Sequence, residues 1–521
     1  MSGGSDFDVL VTGGWLLDGT GAPPYRAEVG VRAGRIAALG RLDGARAPVE
    51  IDATGRYVAP GFVDSHVHAD ALAFDPGVQA AALRQGVTTV VLGQDGLSFA
   101  PASPAALAYV TEYFAAVNGA HPDLPDGRSV TVAELLAGYA GRTALNTAYL
   151  VPHGTIRYAV LGGAARPAAP AEVAAMRRLV EQGLDEGAVG LSSGLEYVPG
   201  GYADAAELAA LCAPVAARGL PYVTHMRGYE SAAPTGMAEV RAIAAASGVA
   251  AHVSHYHGPG EQLVALLDAA RAEGLDVTFD SYPYLAGCSI LAMVALPGWL
   301  ASADPDAVAD RLADPGVRRR LAAETDPALW DRIALAHVPA AELAWAEGLR
   351  LTEAAARAGT EPAAFCADVL IATRLRAGTV FNHPPTNSDA AVRELLRHPA
   401  QMAGSDGVYV GGHPHPRGWG TFARLLGRHV RELGDWSWAE AVVHLAAHPA
   451  RRFRLADRGL LRRGLAADLV VLDPARVRDR ADYAHPRELA EGVDDVLVNG
   501  VPALRGGTLT GALPGTPLRP D

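Results

Sequence analysis

Lysine is missing from all 521 residues, so every cationic side chain apart from histidine is an arginine. That absence excludes Schiff-base catalysis by lysine and any metal bridge built on a carboxylated lysine. Cysteine is scarce as well. Cys212, Cys288 and Cys366 are odd in number and far apart, which argues against a disulfide framework and for reduced thiols in a cytoplasmic protein. No apolar run reaches the ~18 residues of a membrane span. The opening Met-Ser-Gly-Gly-Ser-Asp-Phe-Asp has neither the basic region nor the apolar core of a signal peptide. A net charge of −13 without a basic patch offers nothing to phosphates, so neither nucleic acid nor a membrane is an expected partner.

What is present is a globular composition with 58 glycines, hence many tight turns, on a chain long enough for one large barrel plus additions. Residues 6–59 alternate short apolar runs with glycine turns, and Asp468-Leu-Val-Val-Leu-Asp and Asp494-Asp-Val-Leu-Val-Asn-Gly repeat that texture near the end. Neither end has strands enough to bury a face alone. Residues 1–59 and 450–521 are therefore expected to pair into one small β-sandwich. Between them, across 60–449, strand, glycine turn and amphipathic helix recur. Strands are predicted at 60–66, 86–93, 145–153, 188–194, 221–226, 249–255, 275–284 and 400–406, with helices such as 171–183 and 262–273 between them. Eight strands separated by helices predict an α/β fold, a (β/α)8 TIM barrel. Residues 290–380 are too long for one connection and read as an insertion after strand seven, placed to act as a lid over the barrel's C-terminal face.

Chemistry concentrates at the predicted strand ends, where barrels of this kind carry function. The first strand ends in Gly61-Phe-Val-Asp-Ser-His-Val-His68. On an extended strand residues two apart share a face, so His66 and His68 aim at one spot, as a divalent metal such as zinc requires. Strand two ends in Gly93-Gln-Asp95, strand four in Gly194-Leu-Glu196, strand five in His225-Met-Arg227 and strand six in His255-Tyr-His257. Strand seven ends in Asp280-Ser-Tyr282-Pro-Tyr284 and strand eight in Asp406-Gly. Each residue alone has a plainer reading. His-x-His can be coincidence, His225 or His255 a core imidazole, Asp406 a helix cap, and Asp95 and Glu196 loop carboxylates. Their coincidence at strand ends favours a one- or two-metal hydrolytic centre.

Gly-Phe-Val-Asp-Ser-His-Val-His, Thr-His-Met-Arg, Ser-His, Tyr-Pro-Tyr and Gly-Ser-Asp-Gly followed by His413-Pro-His-Pro-Arg417-Gly-Trp-Gly-Thr-Phe resemble the amidohydrolase superfamily. Within it they are most similar to the N-acyl-D-amino-acid deacylases (D-aminoacylases), over nearly the whole chain. The resemblance implies that His66 and His68 hold one metal and His225 and His255 the other. It makes Asp406 the general acid/base and Arg417 the partner of the substrate's α-carboxylate, with Tyr282 or Tyr284 in the same pocket. His153 is a candidate for stabilising the oxyanion. The implied activity is hydrolysis of a small-molecule amide by metal-activated water, with one or two zinc ions as cofactor.

Two departures stand out. The deacylases carry Asn-Cys-Gly after strand two, with a bridging thiolate, where this chain has Gln94-Asp95-Gly96. Asp95 is thus the first choice of bridge, a harder ligand that admits other divalent metals, and Glu196 is the reserve or a substrate contact. After strand six they carry a lysine near the substrate carboxylate, where this chain has Tyr256-His257. Cyclic amides or D-dipeptides are therefore alternative substrates for the same centre, and a degenerate member that binds without catalysis is the rival of another class.

Overall fold

The computed structural model describes residues 5–124 and 127–521. Val87–Leu92 shows why the barrel forms: Val-Thr-Thr-Val-Val-Leu is buried at every position, as a parallel strand covered on both faces must be. Among the described residues eight strands run parallel around the barrel. They are Phe62–Asp64, Val87–Leu92, Asn146–Tyr149 continued by Val151–Pro152, Leu191–Gly194, Pro221–His225, Ala250–Val253, Val277–Ser281 and Gln401–Ala403. Closure comes where Val67–His68 pairs with Gly407–Val408 and the Ser65 amide donates to the Ala403 carbonyl (3.2 Å). Helices Pro170–Asp185 and Gly260–Ala272 lie where the apolar spacing put them. The fold is the expected α/β barrel.

The first barrel strand is shorter than predicted, Phe62–Asp64 in place of 60–66. Tyr57–Pro60 belongs to a different sheet and pairs antiparallel with Leu469–Leu472. Gly61 then carries the chain into the barrel. A Cβ there would lie 2.1 Å from Thr88 Oγ1, so only glycine lets the neighbouring strand come this close.

Strands from both chain ends share a mixed sheet and one apolar core. Val9, Val29, Ile51 and Val58 pack there with Leu461, Leu469, Val471 and Leu497. The tail then leaves that sheet for the barrel: the Leu518 amide donates to the Thr147 carbonyl (2.7 Å), and Leu518 joins Phe453 beneath Val63, Val91 and Val223. This apolar plug closes the end of the barrel away from the strand-end histidines.

Between strands seven and eight, Ala286–Ile290, Gly378–Asn382 and Ile333–His337 form an antiparallel sheet in the order first, second, third. Helices between these strands bury Leu312, Trp330, Leu351, Phe365 and Leu370 in a core of their own. Among the described residues no helix is long and apolar enough to cross a membrane.

Candidate metal centre

Six side chains from five strand ends converge at the barrel's C-terminal mouth. His66 and His68 come from the first strand's end and His225 ends the fifth strand. Asp95 stands in the turn after the second strand, His255 just past the sixth and Asp406 just past the eighth. Asp95 (φ +54°), His255 (φ +36°) and Asp406 (φ +49°) all occupy the left-handed region. That backbone costs ~1–3 kcal/mol per non-glycine residue, so the surrounding structure holds these three against strain. Gly404 makes room: a Cβ on it would lie 2.8 Å from both His66 Cβ and Asp280 Oδ1.

Asp95 lies at the middle of the cluster. Its Oδ1 is 3.6 Å from His66 Nε2 and 3.8 Å from His255 Nε2; its Oδ2 is 3.6 Å from His68 Nε2 and 3.5 Å from His225 Nδ1. Asp406 Oδ1 lies 3.3 Å from His68 Nε2 and 3.6 Å from His66 Nε2. These separations are long for hydrogen bonds, but ligand atoms at ~2.0–2.1 Å around one tetrahedral cation stand about that far apart. His66 Nε2, His225 Nδ1 and Asp95 Oδ1 are buried without a hydrogen-bond partner, which is costly unless something else satisfies them. Two donor triads result, His66–His68–Asp95 and Asp95–His225–His255, sharing the aspartate. The donor set fits divalent cations, with Asp95 as the group common to both.

The outer nitrogens are anchored, as metal-binding imidazoles generally are. His66 Nδ1 faces Asp280 Oδ2 (3.4 Å), His68 Nδ1 faces Asn118 Oδ1 (3.3 Å) and His225 Nε2 faces Glu196 Oε2 (2.9 Å). Asp280 Oδ1 also accepts from the His255 amide (2.8 Å), and Oδ2 meets His252 Nε2 (3.0 Å). Burial alone would push the His225 imidazole down, but the neighbouring carboxylates of Asp95 and Glu196 outweigh it and raise it to about 10. For Asp95 burial raises, yet its histidine neighbours hold the carboxyl well below the usual range. The cluster is rich in carboxylate and calls for positive charge at its centre.

A cavity of about 560 Å³ opens on this cluster. Arg417 is fully buried beside it. Its Nη1 stands 2.8 Å from Asp406 Oδ2, close enough for an ion pair but not aligned as a hydrogen bond, and its Nε has no partner. The guanidinium lies over the Tyr282 ring at 4.8 Å from the centroid. Tyr282, Glu196 and His257 line the same cavity.

Two expected site residues lie elsewhere. His153 does not line the cavity; its Nε2 meets Glu207 Oε1 at 2.9 Å in a buried group with Arg157, so it is not placed to stabilise an oxyanion. Tyr284 packs against His415 and under Arg424 behind the cavity wall, because strand seven ends at Ser281 and Pro283 turns the chain. Asp280 and Asn118, by contrast, were not singled out as site residues. Asp280 gives a sequence signal, a carboxylate at a strand end. Asn118 gives none, since it closes the short helix Ala115–Asn118 within a long connection.

Similarity to known proteins follows the geometry. The chain matches the Amidohydrolase family over residues 49–503. It is 38% identical to the N-acyl-D-glutamate deacylase of Alcaligenes xylosoxydans xylosoxydans, over 95% of this chain and 93% of that one. It is 35% identical to the D-aminoacylase of the same organism, over 98% and 97%. The crystal structure of an N-acyl-D-glutamate deacylase from Bordetella bronchiseptica, complexed with zinc and a phosphonate mimic of the tetrahedral intermediate, superposes with a TM-score of 0.82. It is 34% identical and covers 98% of this chain and 99% of that one. With similarity running over both ends, the barrel and the insertion alike, the chain belongs to the amidohydrolase family and, within it, to the N-acyl-D-amino-acid deacylases.

Proposed function

We propose that the protein is a metal-dependent deacylase of N-acyl-D-amino acids whose side chains are apolar. The observation that carries the reading is the shared placement of Asp95, two histidine pairs, Asp406 and Arg417 at one cavity. Zinc is the first choice of cation, held by His66, His68, Asp95, His225 and His255, with Asp406 beside it. When bound, it would supply a water acidified toward neutral pKa and polarise the amide carbonyl.

The chain's own residues do the rest. Asp406, kept as a carboxylate by Arg417 and His68 against its burial, accepts the water's proton and returns it to the departing nitrogen. Arg417 takes the α-carboxylate through its planar fork, in which Nε is unspent. Tyr282 holds that fork in place from below. Glu196 orients His225.

Selectivity follows from the cavity wall. Met293, Val294, Leu296, Leu329, Leu375 and Phe381, from the insertion and its sheet, make one side apolar. Glu196 faces an entering side chain with negative charge. Arg332, the other guanidinium on the wall among the described residues, donates to the Asn382 carbonyl at an exposed contact (3.3 Å). An apolar D-side chain is therefore favoured over an acidic one. The free cysteines suit a reducing compartment, and we place the enzyme in the cytoplasm.

The test is turnover by zinc-loaded protein on N-acetyl-D-leucine and N-acetyl-D-methionine, against N-acetyl-D-glutamate, the L-isomers, a hydantoin, a dihydropyrimidine and a D-dipeptide. The first two should give the highest kcat/KM. Preference for a cyclic amide or a dipeptide would overturn the substrate reading, and no turnover with metal bound would overturn the enzyme.

A further inference from the structure

We propose that Glu230, His257 and His383 form a second divalent-cation site on the cavity wall, sharing no ligand with the centre built on Asp95. The three side chains come from separate parts of the fold. Glu230 lies in the loop after the fifth strand, His257 in the loop after the sixth, and His383 at the insertion's exit, just past Gly378–Asn382. All three line the cavity, and one donor atom from each lies within 4.8 Å of the others.

The local bonding favours a cation over a simple hydrogen-bonded cluster. His257 Nδ1 meets the His255 carbonyl at 2.7 Å and must donate to it, which leaves the lone pair on Nε2. That is the tautomer and the second anchor metal-binding imidazoles commonly have. The His257 ring is fixed between Tyr229 (centroids 4.6 Å apart) and His383 (3.9 Å). Glu230 Oε2 accepts from the Thr386 hydroxyl (2.7 Å), while Oε1 is buried and accepts nothing, although two imidazoles are at hand. An imidazole N–H aimed at Oε1 would satisfy it, and neither ring makes that bond. A divalent cation satisfies all three donors at once.

Two imidazoles and a carboxylate suit zinc, and three protein ligands leave a fourth position open. Here that position opens to the cavity. His383 Nε2 lies 3.4 Å from the Tyr282 hydroxyl, and Arg417 lies over the Tyr282 ring, so Tyr282 stands between the site and the arginine. The site's open position would take the oxygen of a water from the cavity. The site stands on these ligands and does not depend on the deacylase reading.

Crystals of the full-length protein soaked in zinc chloride would be measured at the zinc absorption edge. An anomalous peak bounded by Glu230, His257 and His383 is expected, separate from any at Asp95. Elemental analysis of zinc-saturated, desalted protein should show Glu230→Gln and His383→Gln each losing about one ion per chain relative to wild type, with the peak at Asp95 retained. No peak among the three residues in wild-type crystals would overturn the site, and so would undiminished zinc in both variants. If the variants do not fold, the wild-type map decides alone. A peak among Glu230, His257 and His383 with no hydrolysis would sink the deacylase reading and leave this site standing.

Discussion

Two histidine–carboxylate clusters lie in the same barrel, and their bonding makes them opposites. Behind strand four, Glu207 Oε1 takes both His153 Nε2 (2.9 Å) and Arg157 Nε (3.0 Å), and Arg157 spends its Nη2 on the Arg166 carbonyl (2.5 Å). Only His153 Nδ1 is left without a partner there. At the mouth, Asp95 stands 3.5–3.8 Å from four imidazoles without closing on any as a protein–protein hydrogen bond should. The first cluster has its own cation, an arginine, to balance its carboxylate. In the second, no arginine among the described residues pairs with Asp95, and the cluster faces a cavity. Residue type is common to both; unmet charge and unspent donor atoms separate a site from a buttress.

The largest test of that contrast is Asp406→Asn. The amide keeps the size but cannot accept the water's proton, so kcat should fall on the order of 10²–10⁴-fold. Bound zinc, measured by elemental analysis, should stay near the wild-type amount. Full activity in this variant would remove Asp406 from the chemistry.

Glu207→Gln probes the other cluster. It leaves Arg157 buried without a counter-charge, a loss of about 3–5 kcal/mol for a broken buried pair. Thermal or denaturant unfolding should record that loss, while zinc content and kcat/KM of the folded fraction stay at wild-type values. A selective loss of metal would instead tie this cluster to the centre.

Asp280→Asn falls between them. Asp280 anchors His66 and the His255 amide but lies outside both donor triads. Outer partners of metal-binding histidines are worth roughly 10–100-fold in metal affinity. Zinc competition with a chelator should show a loss of that size, and an unchanged affinity would make Asp280 a purely structural group.

The same contrast explains what could be read from sequence. Strand ends were legible because Val87–Leu92, Pro221–His225 and their equivalents are short β-prone runs set off by glycines, and that placed His66, His68, Asp95, His225, His255 and Asp406. His153 lies away from the cavity because Pro152 ends the strand and His153 opens the helix His153–Leu161. Its ring turns to Glu207 on Ala205–Ala217, and no spacing joins positions so far apart. Tyr284 was paired with Tyr282 by the two-residue strand period, but Pro283 lies beyond the strand's end, where that period no longer holds. Asn118, Glu230 and His383 lie on connections whose course no periodicity encodes.

The smallest effect is expected at the thiols, and it bears on which group bridges the histidine pairs. Cys366 lies in the insertion's core, where burial pushes it up to about 12, and Cys212 is pushed up the same way in the barrel's core. Cys288 lines the cavity and is partly exposed, and burial raises it to about 11. Since the thiolate is the reactive form, all three should be sluggish at neutral pH, with Cys288 the first to react as pH rises. Iodoacetamide at pH 9 should label Cys288 alone in the native protein and all three cysteines after denaturation, as mass spectrometry would show. None of the three belongs to a donor triad, so labelled protein should keep its full zinc content. Zinc lost in step with labelling of Cys288 would put a thiolate in the centre and displace Asp95 from the place between the two histidine pairs.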